Sequence, residues 1–186
     1  MSFTSLTDPK RRRLGVATLV GLITGIISAI VKFGWEIPFP PRTPQRDATN
    51  PPQAILEQLG FSPEFTHQTY SYLGNERPWV SFIIHFGFAI VFAIFYCVVA
   101  EYWPGIKLWQ GAAFGVVVWI AFHLLIMPAF GTVPSMFQQP FGEHFSELFG
   151  HAFWMWIIEL TRRDLRNRIT HEPDAEVPLT VADANR

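Results

Sequence analysis

Four long windows of the chain are apolar almost throughout, and the polar residues collect between and beyond them. Each window runs about 20 residues or more, which at about 1.5 Å per residue crosses roughly 30 Å of hydrocarbon as a helix. The pattern predicts an all-α, polytopic membrane protein with four transmembrane helices at about 14–35, 79–103, 108–127 and 141–161. These form one domain over 14–169, because the fourth helix is expected to continue through its arginines. A polar segment, 1–13, precedes the domain, and 170–186 reads as a flexible tail with little to bury.

The connections are unequal. Residues 104–107 make a tight turn, and 128–142 a short loop rich in Pro, Gly and Phe. Residues 37–78 open with prolines at 38, 40, 41 and 44, which exclude a regular helix there. Asn50-Pro51-Pro52-Gln53 then carries a capping residue, first-turn prolines and the capping-box glutamine, so a short amphipathic helix is expected. Ser62-Pro63 begins a second one carrying Phe65 and Tyr72. Within the first window Ala17, Gly21, Gly25 and Ala29 recur every four residues, a spacing that admits a second helix at close range. Gly111 and Gly115 offer the same in the third window, and the two faces are candidates for packing together or for self-association into a homo-oligomer.

Composition sharpens this picture. The chain is 49% hydrophobic and 16% charged, against about 25% charged in a soluble domain. A net charge of −1 offers no broad basic surface for nucleic acid, so the lipid bilayer is the expected partner. Cys97 stands alone, which excludes an intrachain disulfide. The first window is too long for a signal-peptide core and lacks a small-residue cleavage site, so it is expected to stay as an anchor. With four spans, ten basic residues (Lys10, Arg11, Arg12, Arg13, Lys107, Arg162, Arg163, Arg166, Arg168 and Arg186) lie on the side of the termini. Arg42, Arg46 and Arg77 lie on the other, with Lys32 at its edge. That bias places both termini in the cytoplasm and 37–78 and 128–142 in the periplasm of an inner membrane.

Candidate chemistry is confined to the ionisable groups inside the windows, which cost free energy there and mark a functional site. His144, Glu147 and His151 fall at i, i+3 and i+7 of the fourth window and share a helical face. Counting about 1.5 Å per residue from the outer edge puts His85 about 9 Å deep, His123 about 6 Å, Glu147 about 9 Å and His151 about 15 Å. Lys32 and Glu36 close the first window at the same end, four residues apart. The expectation is one outward-facing network of His85, His123, Glu147 and His151, edged by Lys32, Glu36 and His144. Such a network is a proton-responsive cluster, a metal site, a haem site with histidines from facing spans, or a hydrogen-bonded assembly with no ligand. The metal candidates are His144, Glu147 and His151, joined by His85 or His123. Glu101 and Glu159 lie at the inner edge and are expected to pair with Arg162, Arg163 or Lys107. No nucleophile–base triad, H-E-x-x-H or phosphate-binding glycine loop appears, so no catalytic residue is assigned and a non-enzyme is expected.

The segments RRRLG (11–15), KFGWEIPFPPR (32–42), YCVVAE (96–101), IKLWQG (106–111), FGH (149–151) and RRDLRNRITHEPD (162–174) resemble the YagU family of bacterial inner-membrane proteins. The likeness covers all four windows, while 37–78 is shorter and differently composed than the family pattern. The resemblance implies an inner-membrane location, the four-span architecture and a loose link to acid tolerance. It brings no reaction, cofactor or assigned site. An ion-translocating oligomer is the alternative function.

Overall fold

In the computed structural model, which describes residues 5–72 and 74–180, helices dominate. They are α1 (Leu14–Glu36), α2 (Pro51–Gln58), α3 (Trp79–Tyr102), α4 (Ala112–Ala129) and α5 (Phe141–Thr170). Helices α1, α3 and α4 are each long and apolar enough to cross a membrane. Helix α1 packs along both α3 and α5, and α4 packs on α5. Aromatic rings tie α3 to α4, with Phe88 and Phe92 edge-on to Phe122 and Phe95 stacked on Phe114. The start of α1, the end of α3, the start of α4 and the end of α5 share one end of the bundle. There Thr7 donates its amide to the Tyr102 carbonyl, and Arg166 donates to the Arg11 carbonyl.

Large aliphatic side chains face outward: Leu19, Ile26 and Ile30 on α1, Ile83 and Val91 on α3, Val117 and Leu125 on α4. Small and polar residues face inward, among them Ala17, Thr24, Ser28 and Ala29. A soluble bundle reverses this order; a bundle in hydrocarbon needs close van der Waals approach and internal hydrogen bonds. Ser28 supplies one, accepting from the Trp154 indole at 3.0 Å. The small-residue stripe of α1 meets α3, as a Cβ on Gly21 would sit 2.5 Å from Ile94 Cα and one on Gly25 2.6 Å from Ile90 Cα. The expected partner, the Gly111/Gly115 face, is instead spent on α5, where a Cβ on Gly115 would lie 2.2 Å from the His151 carbonyl oxygen. Both stripes therefore have partners within the chain.

Three boundaries differ from expectation. The third long helix starts at Ala112, because Trp109, Gln110 and Gly111 all have left-handed backbones that no helix can carry. The helix at 63 stops after one turn, Pro63–Thr66, and Tyr72 belongs to a hairpin instead. Strand β1 (Thr69–Tyr72) pairs antiparallel with β2 (Asn75–Pro78), reversing where Gly74 takes φ 77°. The α2 capping box forms as expected, Asn50 and Gln53 exchanging side-chain and backbone bonds.

The third difference is the tail. From Glu172 to Val177 it is anchored: Asp174 is 7% exposed, accepts from Arg162 at 2.7 Å and from Lys107 at 3.0 Å, and Lys107 also reaches Glu176. Arg11 donates to the carbonyls of Pro173 and Val177, and Arg13 pairs with Glu172. Glu159 pairs with Arg162 as expected, with the Tyr96 hydroxyl donating to it at 3.0 Å. Glu101 takes Arg166, not the partners anticipated, because Arg166 stands one helical turn beyond Arg162 and faces α3. Arg163 is exposed, and Arg186 lies outside the described residues.

Burial alone would raise the Asp174 carboxyl, but the Arg162 charge and hydrogen bond and the Lys107 ammonium overcome it and hold it at about 2. A carboxyl depressed on docking stabilises the docked form above its ordinary value of 3.8, and that stabilisation is lost as pH falls through about 2. A nitroxide label at Val177→Cys should accordingly report an immobilised tail near neutrality and a mobile one by about pH 2. Asp174→Asn should show the mobile spectrum already near neutrality, and an unchanged spectrum across the acid range would refute the assignment.

Candidate functional site

The site lies at the end of the bundle opposite the termini, and α5 supplies its floor. Spacing of four turns Glu143, Glu147 and His151 onto one inward face, where they are 5%, 6% and 4% exposed. His144 falls to one side of that stripe. Its Nε2 meets the Met136 carbonyl at 2.8 Å and its ring stands edge-on to Trp119. The face predicted from i, i+3 and i+7 is therefore corrected: a straight α-helix carries i+4 neighbours along its buried stripe here, and His144 leaves the network.

Helix α4 delivers His123 by an irregularity. Residues Ile120–Ile126 are π-helical, and the Met127 amide reaches back five residues to the Phe122 carbonyl. Pro128 explains the wider turn. Proline has no N–H to donate, and its ring would collide with the carbonyl four residues earlier in a regular helix. Such turns recur at functional sites, and this one points His123 across the seam to α5. Its Nε2 lies 3.4 Å from Glu147 Oε2, and its ring meets His151 edge-on with centroids 4.8 Å apart. Two rings in such contact leave no room for a macrocycle between them, which removes the haem reading for this pair.

Glu147 is the hub. Oε2 is 3.3 Å from His151 Nδ1 and 3.5 Å from Lys32 Nζ, and Oε1 is 3.7 Å from Arg42 Nη1. Neither cation belongs to Glu147 first. Lys32 is nearer Glu36, at 2.9 Å, and Arg42 is nearer Asp47, at 3.1 Å. Exposed Arg77 reaches Asp47 from outside at 3.7 Å. His151 Nδ1 also donates to the Glu147 carbonyl at 2.7 Å, which puts its proton on Nδ1 and leaves Nε2 with a lone pair.

The connection over 37–78 reaches into this site. Arg46 pairs with Glu143, the Thr43 amide donates to Glu143 at 3.1 Å, and the Ser146 hydroxyl donates to the Phe39 carbonyl. Arg42, Arg46, Asp47 and Glu143 are the members that sequence reasoning did not commit to. Two of the three outer arginines, Arg42 and Arg46, stand four apart, but in a proline-rich irregular segment that spacing assigns them no partner.

His85 stands apart. Its Nε2 approaches the Ala29 carbonyl at 3.2 Å and its ring stacks on Phe33 with centroids 4.1 Å apart, so it clasps α1 to α3. The structure thus brings together His123, Glu147, His151, Lys32 and Glu36 and leaves out His85 and His144.

Residues 26–160 match the model of a family described as "Protein of unknown function (DUF1440)". The chain is 43% identical over 202 aligned positions, covering 96% of this chain and 98% of the relative, to "Inner membrane protein YagU" of Escherichia coli strain K12. No solved structure matches.

Breaking a buried ion pair from one side strands the other charge, at about 3–5 kcal/mol. Lys32→Met should therefore lower unfolding stability in detergent by about that amount, and Glu147→Gln in the same chain should restore part of it. Strictly additive losses in the double variant would show that the two groups are not coupled.

Proposed function

The chain belongs to the DUF1440 family, that of the inner membrane protein YagU, and from that premise we propose a cation-responsive site at the outward end of a four-span inner-membrane bundle. The multi-pass, inner-membrane character rests on the relative and on three apolar helices. The fourth crossing is assigned to α5, because it runs beside α1 and its middle, 152–158, is apolar and aromatic. The basic residues of 10–13 and 162–168 then lie in the cytoplasm.

One observation carries the site. Glu147 is a buried carboxylate whose two neighbouring cations are both closer to other carboxylates, while two imidazoles stand within 3.4 Å of one of its oxygens. Imidazole nitrogen and carboxylate oxygen both take up protons and metal ions, so such a cluster is built to receive a cation. Loading it changes the charge between α4 and α5 and hence the packing of the outer half. The acid tolerance implied by the family resemblance is a setting in which a periplasm-facing cation site would act. The role is binding, with no catalytic step.

Reporter fusions after Lys107 and after Arg168 should both read cytoplasmic and one after Asn50 periplasmic; a periplasmic C-terminus would overturn the four-span arrangement. Thermal stability of the wild-type chain should change on acidification or on adding a divalent ion. Glu147→Gln, and His123→Gln with His151→Gln, should lose that change. Flat wild-type profiles under both conditions would reduce the cluster to a structural clasp.

A further inference from the structure

Resting on the cation-site reading, the geometry points to a divalent ion of the borderline class, Zn²⁺ foremost, held by His123, Glu147 and His151. One donor atom from each of the three lies within 4.8 Å of the others. The pair His123 Nε2 and Glu147 Oε2 is already at 3.4 Å. Metal–ligand bonds of about 2.0–2.1 Å give a tetrahedral edge of about 3.4 Å, so that pair needs no closing movement. The remaining adjustment is a joint shift of the His123 and Glu147 side chains toward His151 Nε2, whose ring stays held through Nδ1.

Three further features fit. His151 commits its Nδ1 proton to the Glu147 carbonyl, the outer hydrogen bond that orients a ligating imidazole and frees its other nitrogen. The π turn spends regular helix geometry on aiming His123 at this point. The donor set is two nitrogens and one oxygen, which suits Zn²⁺ and its neighbours; Ca²⁺ and Mg²⁺ prefer oxygen alone. The one thiol is elsewhere, with Cys97 buried against Thr24.

Lys32 and Arg42 oppose a second cation at Glu147, and both have somewhere to go. Lys32 retains Glu36 at 2.9 Å and Arg42 retains Asp47 at 3.1 Å when they yield the shared carboxylate. Glu36 and Asp47 thus act as parking positions, and the ion replaces the weaker contact of each. His85 and His144, ionisable and near the same end but aimed at Ala29 and Met136, are internal controls.

The test uses the full chain in detergent, stripped with chelator and then loaded with ZnCl₂ or CoCl₂. Elemental analysis should find one Zn²⁺ per chain, and Co²⁺ should give the visible bands of a four- or five-coordinate nitrogen–oxygen site. Glu147→Gln and His123→Ala should bind at least about tenfold more weakly, while His85→Ala and His144→Ala should bind as the wild type does. No stoichiometric metal on the wild type would overturn the inference, as would equal losses in His144→Ala or full binding by Glu147→Gln. The Co²⁺ spectrum of the wild type stands even where a variant fails to fold. Absence of metal with a pH-dependent stability that needs Glu147 would sink the metal and spare the cation site; absence of both would sink the two together.

Discussion

Helix α5 carries charge into apolar surroundings at both of its ends, and nearly every connection in the chain is arranged to answer it. A buried charge without a partner costs several kcal/mol even after relaxation. At one end Arg162 and Arg166 draw in Glu159, Glu101 and Asp174, and with them the N-terminal segment and the tail. At the other, Glu143 and Glu147 draw in Arg46, Arg42 and Lys32, and with them the proline-rich connection. The connections are thus counter-charges delivered on a chain. Their proline content keeps the outer one extended enough to reach.

Between those ends the bundle is held by main chain meeting main chain. Gly21 and Gly25 bring α1 onto α3, and Gly115 brings α4 onto α5. Lipid tails are as apolar as leucine, so no hydrophobic gain drives such contacts; dispersion at short range and bonds such as that from Trp154 to Ser28 do. The outward leucines and isoleucines then face lipid at no penalty.

Helix positions were legible because hydrophobic runs of that length have one solution in a bilayer, and the convergence of His123, Glu147 and His151 was legible because depth follows from residue count. Depth is only one coordinate. His85 sits at the right height but is turned toward Phe33 and Ala29, and no count along the chain reveals that rotation without knowing which helix lies beside it. The same applies to His144. Arg42 was hidden for another reason: it arrives from an irregular segment, whose path depends on tertiary pairing rather than on local periodicity. The docking of 172–177 was not legible because those residues bury little apolar surface, while their acidic groups find arginines already held in place. The π turn could have been suspected from Pro128, though its register could not.

Gly115 sits against the peptide group of His151 itself, so at that point beside the cluster no side chain of α4 separates the two backbones. Most protein interfaces absorb small displacements by side-chain rearrangements, yielding a few tenths of an ångström at little expense. Here the separation between α4 and α5 is set by two peptide backbones in contact, and the gap from His123 to Glu147 inherits their stiffness.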